Sequence, residues 1–268
     1  MSEYGSTVQQ CLQREYVIVV GAEDYYDRAG NKMMFMAQAV RYVKNYASRF
    51  DLTTVLCFKG TKNTDAQLAA LKNSVKTYGG EAKLVNFWSD VANHINTKES
   101  NGCQKRVQVL IFFAHGSPGR IWLSAQEGLY LQESNLGLID ASSFTPKNDK
   151  NPKYQYRHVT SWACQTANAG QPSSVNENLV GSLAQRMASA WDIEVRASIT
   201  QTNYSKTWDG WRPWDVEKRQ EIDGALWEPD GADGGVYSGN GSAQKNMPSG
   251  MYVLKPGQTS DYSTISLD

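Results

Sequence analysis

The sequence has few of the residues that cross-link small folds or bind metal ions. Its 268 residues include only four cysteines and three histidines. Cys11, Cys57, Cys103 and Cys164 lie far apart and form no C-x-x-C pair, and the histidines are scattered as well. These spacings argue against a structural zinc site, so we expect no bound metal. Reduced thiols in a cytoplasmic setting are the simplest interpretation.

Long hydrophobic runs and an excess of one charge are also missing. No apolar run approaches the roughly 18 residues that a membrane span requires. The first ten residues, MSEYGSTVQQ, lack the basic and apolar regions of a signal peptide. Lysine plus arginine equals aspartate plus glutamate, 27 each, so no net charge attracts nucleic acid or an anionic membrane. We expect a protein without either partner, cytoplasmic or delivered out of its cell by a signal-less route.

The hydrophobic pattern predicts an α/β fold. Apolar runs bounded by glycine predict strands, and apolar residues spaced by three and four predict helices that pack on a sheet. The predicted strands are 16–21, 52–58, 84–87, 107–113, 157–163, 193–199 and 251–254, and the predicted helices are 32–50, 64–78, 88–95, 133–139 and 176–190. A hairpin is predicted over 120–132. This alternation indicates a mostly parallel central sheet with helices on both faces.

The last quarter of the chain has a different composition. Four of the eight tryptophans fall between Trp208 and Trp227, among glycine, aspartate and proline. We interpret residues 1–199 as an α/β catalytic core and 200–268 as an elaboration of the same domain. The tryptophans either shape a substrate groove or pack an irregular segment.

Two reactive side chains follow predicted central strands. The run VQVLIFFAHGSPG places His115 and Gly116 just after one strand, and Cys164 follows the next. Because parallel strands present their carboxyl ends at one edge of the sheet, we expect His115 and Cys164 to lie side by side. A histidine that accepts the thiol proton activates a cysteine as a nucleophile. The backbone N–H groups of Gly116 and Cys164 could then form an oxyanion hole.

A strand that ends in His-Gly, followed about 50 residues later by a strand that ends in Ala-Cys, resembles the caspase-like cysteine peptidases (clan CD). HGSPGRIWLS and ACQTANAG are most similar to the CHAT, clostripain and RTX self-processing members found in bacteria. The resemblance implies a caspase-like fold and a thiol protease that hydrolyses peptide bonds in protein substrates through an acyl-enzyme. It implies His115 as general base, Cys164 as nucleophile, Gly116 and Cys164 as oxyanion donors, and no cofactor.

The sequence also departs from that family. Trp162 stands two residues before the cysteine, where metacaspases carry an aspartate, and it is either a pocket wall or core. Glu23, Asp24 and Asp27 could line a substrate pocket or be solvated loop charges. A catalytically idle binding or scaffold module is the alternative function, and an activating partner could be required.

Two further expectations concern polar loops. The lysine-rich segment 140–157 is a candidate for self-cleavage. Asp230 and Asp233 could hold Ca²⁺, although a plain turn explains the same residues and the spacing is not that of an EF-hand.

Overall fold

The computed structural model describes residues 11–24, 33–125, 129–147, 156–170, 174–204, 207, 237–238 and 251–265. The strands are β1 (Leu12–Val20), β2 (Leu52–Phe58), β3 (Glu81–Val85), β4 (Glu99–Ser100), β5 (Cys103–Phe113), β6 (His115–Ser117), β7 (Arg120–Trp122), β8 (Tyr130–Leu131), β9 (His158–Ser161), β10 (Glu194–Ser198), β11 (Thr202–Asn203), β12 (Tyr237–Ser238), β13 (Met251–Leu254) and β14 (Ser263–Ile265). The α-helices are α1 (Met34–Tyr46), α2 (Asp65–Thr77), α3 (Trp88–Asn96), α4 (Val175–Gly181) and α5 (Leu183–Trp191).

The main sheet runs in the order β14-β13-β10-β9-β5-β1-β2-β3, with β4 beside the start of β5. The six strands from β10 to β3 are parallel to one another, and β13 and β14 are antiparallel. Counted in chain order, the parallel strands read 3-2-1-4-5-6, the order of doubly wound α/β proteins. The predicted α/β class and mostly parallel sheet are confirmed. The order reverses between β1 and β5, where such folds bind their ligands.

Helices cover both faces of this sheet. Helices α1 and α2 bury Phe35, Val40 and Leu71 against one face. Helices α3 and α5 bury Val91 and Met187 against the other. The central strands are therefore apolar on both sides, which explains why Val109 to Phe113 is a continuous apolar run instead of an alternating one.

One predicted helix is divided in two. The sequence pattern predicts a single helix over 176–190, but α4 ends at Gly181 and α5 starts at Leu183. Ser182 separates them with an extended backbone, and its hydroxyl accepts a hydrogen bond from the Gln185 N–H. The apolar spacing continues across the break, so it cannot reveal that Ser182 is an N-cap.

The segment after β5 forms a small sheet that leads away from the main one. Strands β6, β7 and β8 pair antiparallel in that order. Ile121 and Leu131 on one of its faces are fully buried, whereas Trp122 and Tyr130 on the other are partly exposed. This sheet extends the predicted hairpin by adding His115 to Ser117 as its first strand.

The expectation that all four thiols are reduced is wrong. Cys11 and Cys103 form a disulfide between residues with Cα atoms 5.0 Å apart. It joins the start of β1 to the start of β5, two strands that pair along their whole length. The sequence separation of 92 residues gave no hint of the pairing, because connectivity depends on the sheet order. Cys57 and Cys164 remain free.

We expect loss of this disulfide to lower the free energy of unfolding by up to about 4–5 kcal/mol, because closing a loop of this length removes much of the entropy of the unfolded chain. Urea denaturation with and without reductant measures the effect. The Cys11→Ser/Cys103→Ser variant is the control. If reductant shifts the unfolding midpoint of this variant as far as that of the wild type, the effect does not come from the disulfide.

The C-terminal strands belong to the main sheet, since β13 pairs with β10 and β14 pairs with β13. The proposed boundary at residue 199 stays a prediction. Within the described ranges, no helix is long and apolar enough to cross a membrane.

Candidate active site

The candidate site lies at the carboxyl ends of β1, β5 and β9, beside the point where the strand order reverses. Phe112 pairs with Ser161 in the last step of the β5–β9 ladder, and His115 and Cys164 each follow that pair by three residues. The predicted neighbouring strands are therefore confirmed. The chain after β1 stays on this edge, because Gly21 N–H donates to Phe113 O at 2.8 Å and Ala22 N–H donates to Leu123 O at 2.8 Å.

This course of the chain brings Glu23 to His115. The Glu23 carboxylate is fully buried and bonds to Nε2 of His115, whose side chain is 24% exposed. A carboxylate on Nε2 fixes the ring and favours a proton on that nitrogen, so that Nδ1 is the nitrogen that exchanges protons with a reacting group. The sequence indicated Glu23 as a residue of a substrate pocket or a solvated loop charge, and not as a partner of His115. Gly21 and Ala22 are small enough to let the chain after β1 pass close to β5, and they are the sequence feature that could have indicated this contact.

The Cys164 thiol contacts the chain that follows β10. Thr202 N–H points at Cys164 Sγ at 3.4 Å, and Thr202 Oγ1 lies at the same distance of 3.4 Å. The Thr202 hydroxyl donates to Trp162 O at 2.6 Å, which fixes its position. A backbone N–H directed at sulfur stabilises a thiolate, the nucleophilic form of cysteine.

Gly116 packs directly on Cys164. A Cβ at position 116 would lie 2.3 Å from Cys164 O and 2.8 Å from Cys164 N, closer than packed atoms can approach. Glycine is therefore required for the His115 and Cys164 strand ends to adjoin. The predicted role of the two backbone N–H groups as oxyanion donors stays a prediction.

Two aromatic residues, Phe35 and Tyr204, pack at the wall of the site. Phe35 packs edge-on against His115 and against Tyr204, with ring centroids 5.0 Å apart in each pair. Tyr204 donates to Trp162 O at 3.1 Å. Burial, with a smaller contribution from the charge of Cys164, raises the pKa of Tyr204 well above its ordinary value. Tyr204 is thus a neutral hydrogen-bond donor at the wall of the site.

Asp24 was predicted as a substrate-binding residue, and the structure places it in a loop anchor. Its carboxylate accepts hydrogen bonds from Thr61, Ser124 and Ala125 at 2.8–3.1 Å, and it is 7% exposed. Burial alone would raise its pKa, but these hydrogen bonds lower it. The geometry favours an anchor over a substrate contact. Asp27, another carboxylate predicted for this pocket, lies outside the described residues.

Trp162, the third predicted substrate residue, is 3% exposed and faces helix α1. It lines a cavity of about 400 Å³ together with Tyr42, His158 and Arg196. The backbone carbonyl of Trp162, and not its ring, faces the site, because it accepts hydrogen bonds from Thr202 and Tyr204. A substrate role for the ring stays a prediction.

The described ranges contain no group of three histidine, cysteine, aspartate or glutamate side chains that could hold a metal ion. The proposed calcium ligands Asp230 and Asp233, and the tryptophans from Trp208 to Trp227, lie outside those ranges. Residues 148–155 of the predicted self-cleavage segment also lie outside the described ranges. Phe144, near the start of that segment, is buried in the core.

Comparison with known proteins finds no matching family model and no matching curated protein. The solved structures that this chain resembles at low identity include dehydrogenases and reductases. A short chain dehydrogenase from Mycobacterium thermoresistibile is 13% identical, with 66% of this chain and 60% of that chain covered and a TM-score of 0.33. A putative dehydrogenase from Burkholderia cenocepacia with bound NADP is 9% identical, with 68% and 64% covered and a TM-score of 0.33. An NADH-dependent reductase complexed with NAD is 14% identical, with 64% and 68% covered and a TM-score of 0.28.

These neighbours correct the family expectation. They are not caspase-like peptidases, so the resemblance and its implied peptide hydrolysis by a thiol protease are wrong, as is the scaffold alternative built on the same fold. Self-cleavage at 140–157 depends on the same peptidase activity and loses its basis with it. The expectation of no cofactor is contradicted too, because two of the neighbours are described with NADP or NAD. His-Gly and Ala-Cys strand ends at the right spacing are compatible with more than one kind of α/β protein.

The first turn of the sheet does not fit a nicotinamide dinucleotide. Dinucleotide-binding folds carry G-x-G-x-x-G after the first strand, where backbone N–H groups approach the pyrophosphate. Here β1 is followed by Gly21, Ala22, Glu23 and Asp24. The two carboxylates are 1% and 7% exposed, so a pyrophosphate in this turn would meet buried groups of the same charge. We therefore derive no chemical step through a nicotinamide.

Proposed function

We propose that this protein is an acyl-transfer enzyme that acts on small, non-peptide substrates by covalent catalysis at Cys164. The observation that carries the proposal is the bond from the buried Glu23 carboxylate to His115, whose neighbour Gly116 packs on Cys164 at the switch point of a doubly wound sheet. A carboxylate that orients a histidine next to a nucleophile is the arrangement that activates hydroxyl and thiol groups in many unrelated folds.

The reaction begins with transfer of the Cys164 thiol proton to Nδ1 of His115. Glu23 stabilises the imidazolium that forms, and the Thr202 N–H stabilises the thiolate. The sulfur then attacks the carbonyl carbon of the acyl donor, so that an S–C bond forms and the carbonyl oxygen becomes an oxyanion. Collapse of this intermediate expels the leaving group, which takes its proton from His115, and leaves a thioester on Cys164. An acceptor nucleophile reverses these steps.

Alkylation provides the first test, since only two thiols can react. Cys11 and Cys103 are held in the disulfide, and burial raises the pKa of Cys57 to about 12. We expect iodoacetamide near pH 7 to label Cys164 at least tenfold faster than Cys57, because only Cys164 is accessible and has a base beside it. Peptide mass spectrometry of timed samples measures both rates. Equal, slow labelling of the two thiols would contradict the proposal.

A small activated ester tests acyl transfer itself. With p-nitrophenyl acetate we expect a burst of one equivalent of p-nitrophenolate and an acetyl group on Cys164 in the intact mass. The matched control is Cys57→Ser, which retains the burst, whereas Cys164→Ser loses it. A wild-type protein that alkylates at Cys164 but shows no burst would be a reactive thiol without acyl-transfer activity.

A further inference from the structure

The small sheet beside His115 has one buried and one outward face. Residues that pair directly in antiparallel strands point to the same side. His115 pairs with Trp122, Ser117 pairs with Arg120, and Trp122 pairs with Tyr130. One face therefore carries five side chains: His115, Ser117, Arg120, Trp122 and Tyr130. The opposite face carries Ile121 and Leu131, both fully buried in the core. The side chains on the outward face therefore lie next to His115.

We call the four residues next to His115 the hairpin platform; they are Ser117, Arg120, Trp122 and Tyr130. Trp122 Nε1–H donates to Ser117 Oγ at 3.0 Å, which fixes the indole. The Trp122 and Tyr130 rings meet in a T-shaped contact with centroids 5.6 Å apart. Ser117, Trp122 and Tyr130 are partly exposed, so the platform is open to a substrate and its geometry is already fixed.

The position of Arg120 shows what the platform is suited to bind. Its guanidinium carbon lies 4.6 Å from the Tyr130 ring centroid and 5.7 Å from that of Trp122. The residue is exposed, and no carboxylate pairs with it among the residues that the structure describes. Stacking on two rings restricts the side chain and leaves its N–H edge available for a planar anion. Arg120 is thus an oriented cation that has no carboxylate partner within the described ranges.

We propose that Arg120 is a specificity-determining residue and that the substrate of the His115–Cys164 site carries a carboxylate, which this guanidinium binds. The inference rests on the proposed function, because it concerns the substrate of the same site. Arg120 lies diagonally across the strand pair from His115, with their Cα atoms about 7–8 Å apart, and its guanidinium extends toward Tyr130 on β8. The substrate carboxylate is therefore separated from the reacting carbonyl by several bonds. One guanidinium balances one negative charge, which favours a carboxylate over a doubly charged phosphate monoester.

A pair of reagents that differ only in charge tests the proposal. Iodoacetate and iodoacetamide both alkylate Cys164, but only iodoacetate carries a carboxylate. We expect Arg120→Gln to lower the ratio of the iodoacetate rate to the iodoacetamide rate by about three- to tenfold at low salt, because one positive charge is removed near the thiol. The same ratio in wild type should fall as salt is added.

Arg49→Gln is the matched control. Arg49 is also an exposed arginine stacked on a tyrosine, 4.9 Å from the Tyr46 ring centroid, but it follows α1 and lines the cavity away from Cys164. The rate ratio should be unchanged in this variant. An unchanged ratio in Arg120→Gln, or an equal fall in both variants, overturns the proposal.

A second measurement separates this proposal from the acyl-transfer proposal. If Cys164 reacts slowly with both reagents, the proposed function fails, and the anion site is decided by binding alone. Sodium propionate is titrated while the indole N–H resonance of Trp122, assigned with Trp122→Phe, is followed by NMR. A saturable shift in wild type that is lost in Arg120→Gln supports the carboxylate site. No shift in wild type overturns it.

Discussion

Lys105→Met is expected to destabilise the fold by about 3–5 kcal/mol, because it removes one partner of a buried ion pair. Lys105 and Glu15 are 4% and 1% exposed, and their side chains meet at 2.7 Å. Glu15 also accepts hydrogen bonds from Thr54 at 2.7 Å and from His94 at 2.8 Å. The methionine fills the space of the lysine stem but leaves a partly paired carboxylate inside the protein. Urea denaturation measures the loss.

Two variants show whether burial causes this effect. Glu15→Gln/Lys105→Met removes both charges and keeps an acceptor for Thr54, so most of the loss should be recovered. Lys59→Met breaks the exposed pair with Asp65, whose side chains are 50% and 94% exposed, and should cost less than about 1 kcal/mol. A Lys105→Met protein no less stable than Lys59→Met would show that the buried pair contributes little.

The same cluster predicts how stability depends on pH. Burial pushes the pKa of Glu15 up, but the hydrogen bond from His94 and the charges of His94 and Lys105 outweigh it and lower the pKa from 4.5 to about 2. Because the folded value is below the unfolded one, this contribution is fully present above about pH 4.5 and is lost as the pH falls through about 2. Wild type should therefore lose stability over this range more steeply than Glu15→Gln/Lys105→Met. Parallel curves for the two proteins would contradict the assignment to Glu15.

The class of fold could be predicted from the sequence because it depends on local patterns. Continuous apolar runs such as Val109 to Phe113 identify strands buried on both faces, and spacings of three and four identify the helices between them. The strand order could not be predicted, because each buried strand looks alike in sequence. The Cys11–Cys103 disulfide and the Glu15–Lys105 pair both depend on β1 lying beside β5. Each joins residues about 90 positions apart, so neither has a local signal.

The candidate site could be predicted in part for the same reason. His115, Gly116 and Cys164 follow apolar strands, and the rule that chemistry gathers at carboxyl strand ends places them together. Glu23 lacks such a mark, since one acidic residue in an acidic loop is most often solvated. The pattern also failed to identify the family, because strand-end chemistry recurs on unrelated α/β folds and does not define one of them.

The buried Glu23 carboxylate gives the second large effect. Glu23→Gln is expected to slow acylation of Cys164 by p-nitrophenyl acetate on the order of 10²–10⁴-fold, by analogy with the loss seen when a carboxylate behind a catalytic histidine becomes an amide. A glutamine can keep a hydrogen bond to His115 Nε2 but offers no negative charge to the imidazolium. It can also donate its own N–H to Nε2, which favours a proton on Nδ1, the nitrogen that must accept one from the thiol.

Rate alone would not distinguish positioning from a general loss of structure, so the pH–rate profile is measured as well. Glu23 favours the imidazolium, which favours the neighbouring thiolate, so alkylation of Glu23→Gln should reach half its maximal rate at a higher pH than in wild type. Glu23→Asp, which keeps the charge, should recover part of the rate and much of the profile. Asp24→Asn is the matched control, because it alters the next buried carboxylate, which is bonded to Thr61 and Ser124. A similar change of profile in Asp24→Asn would mean that the loop, and not the Glu23 charge, controls the thiol.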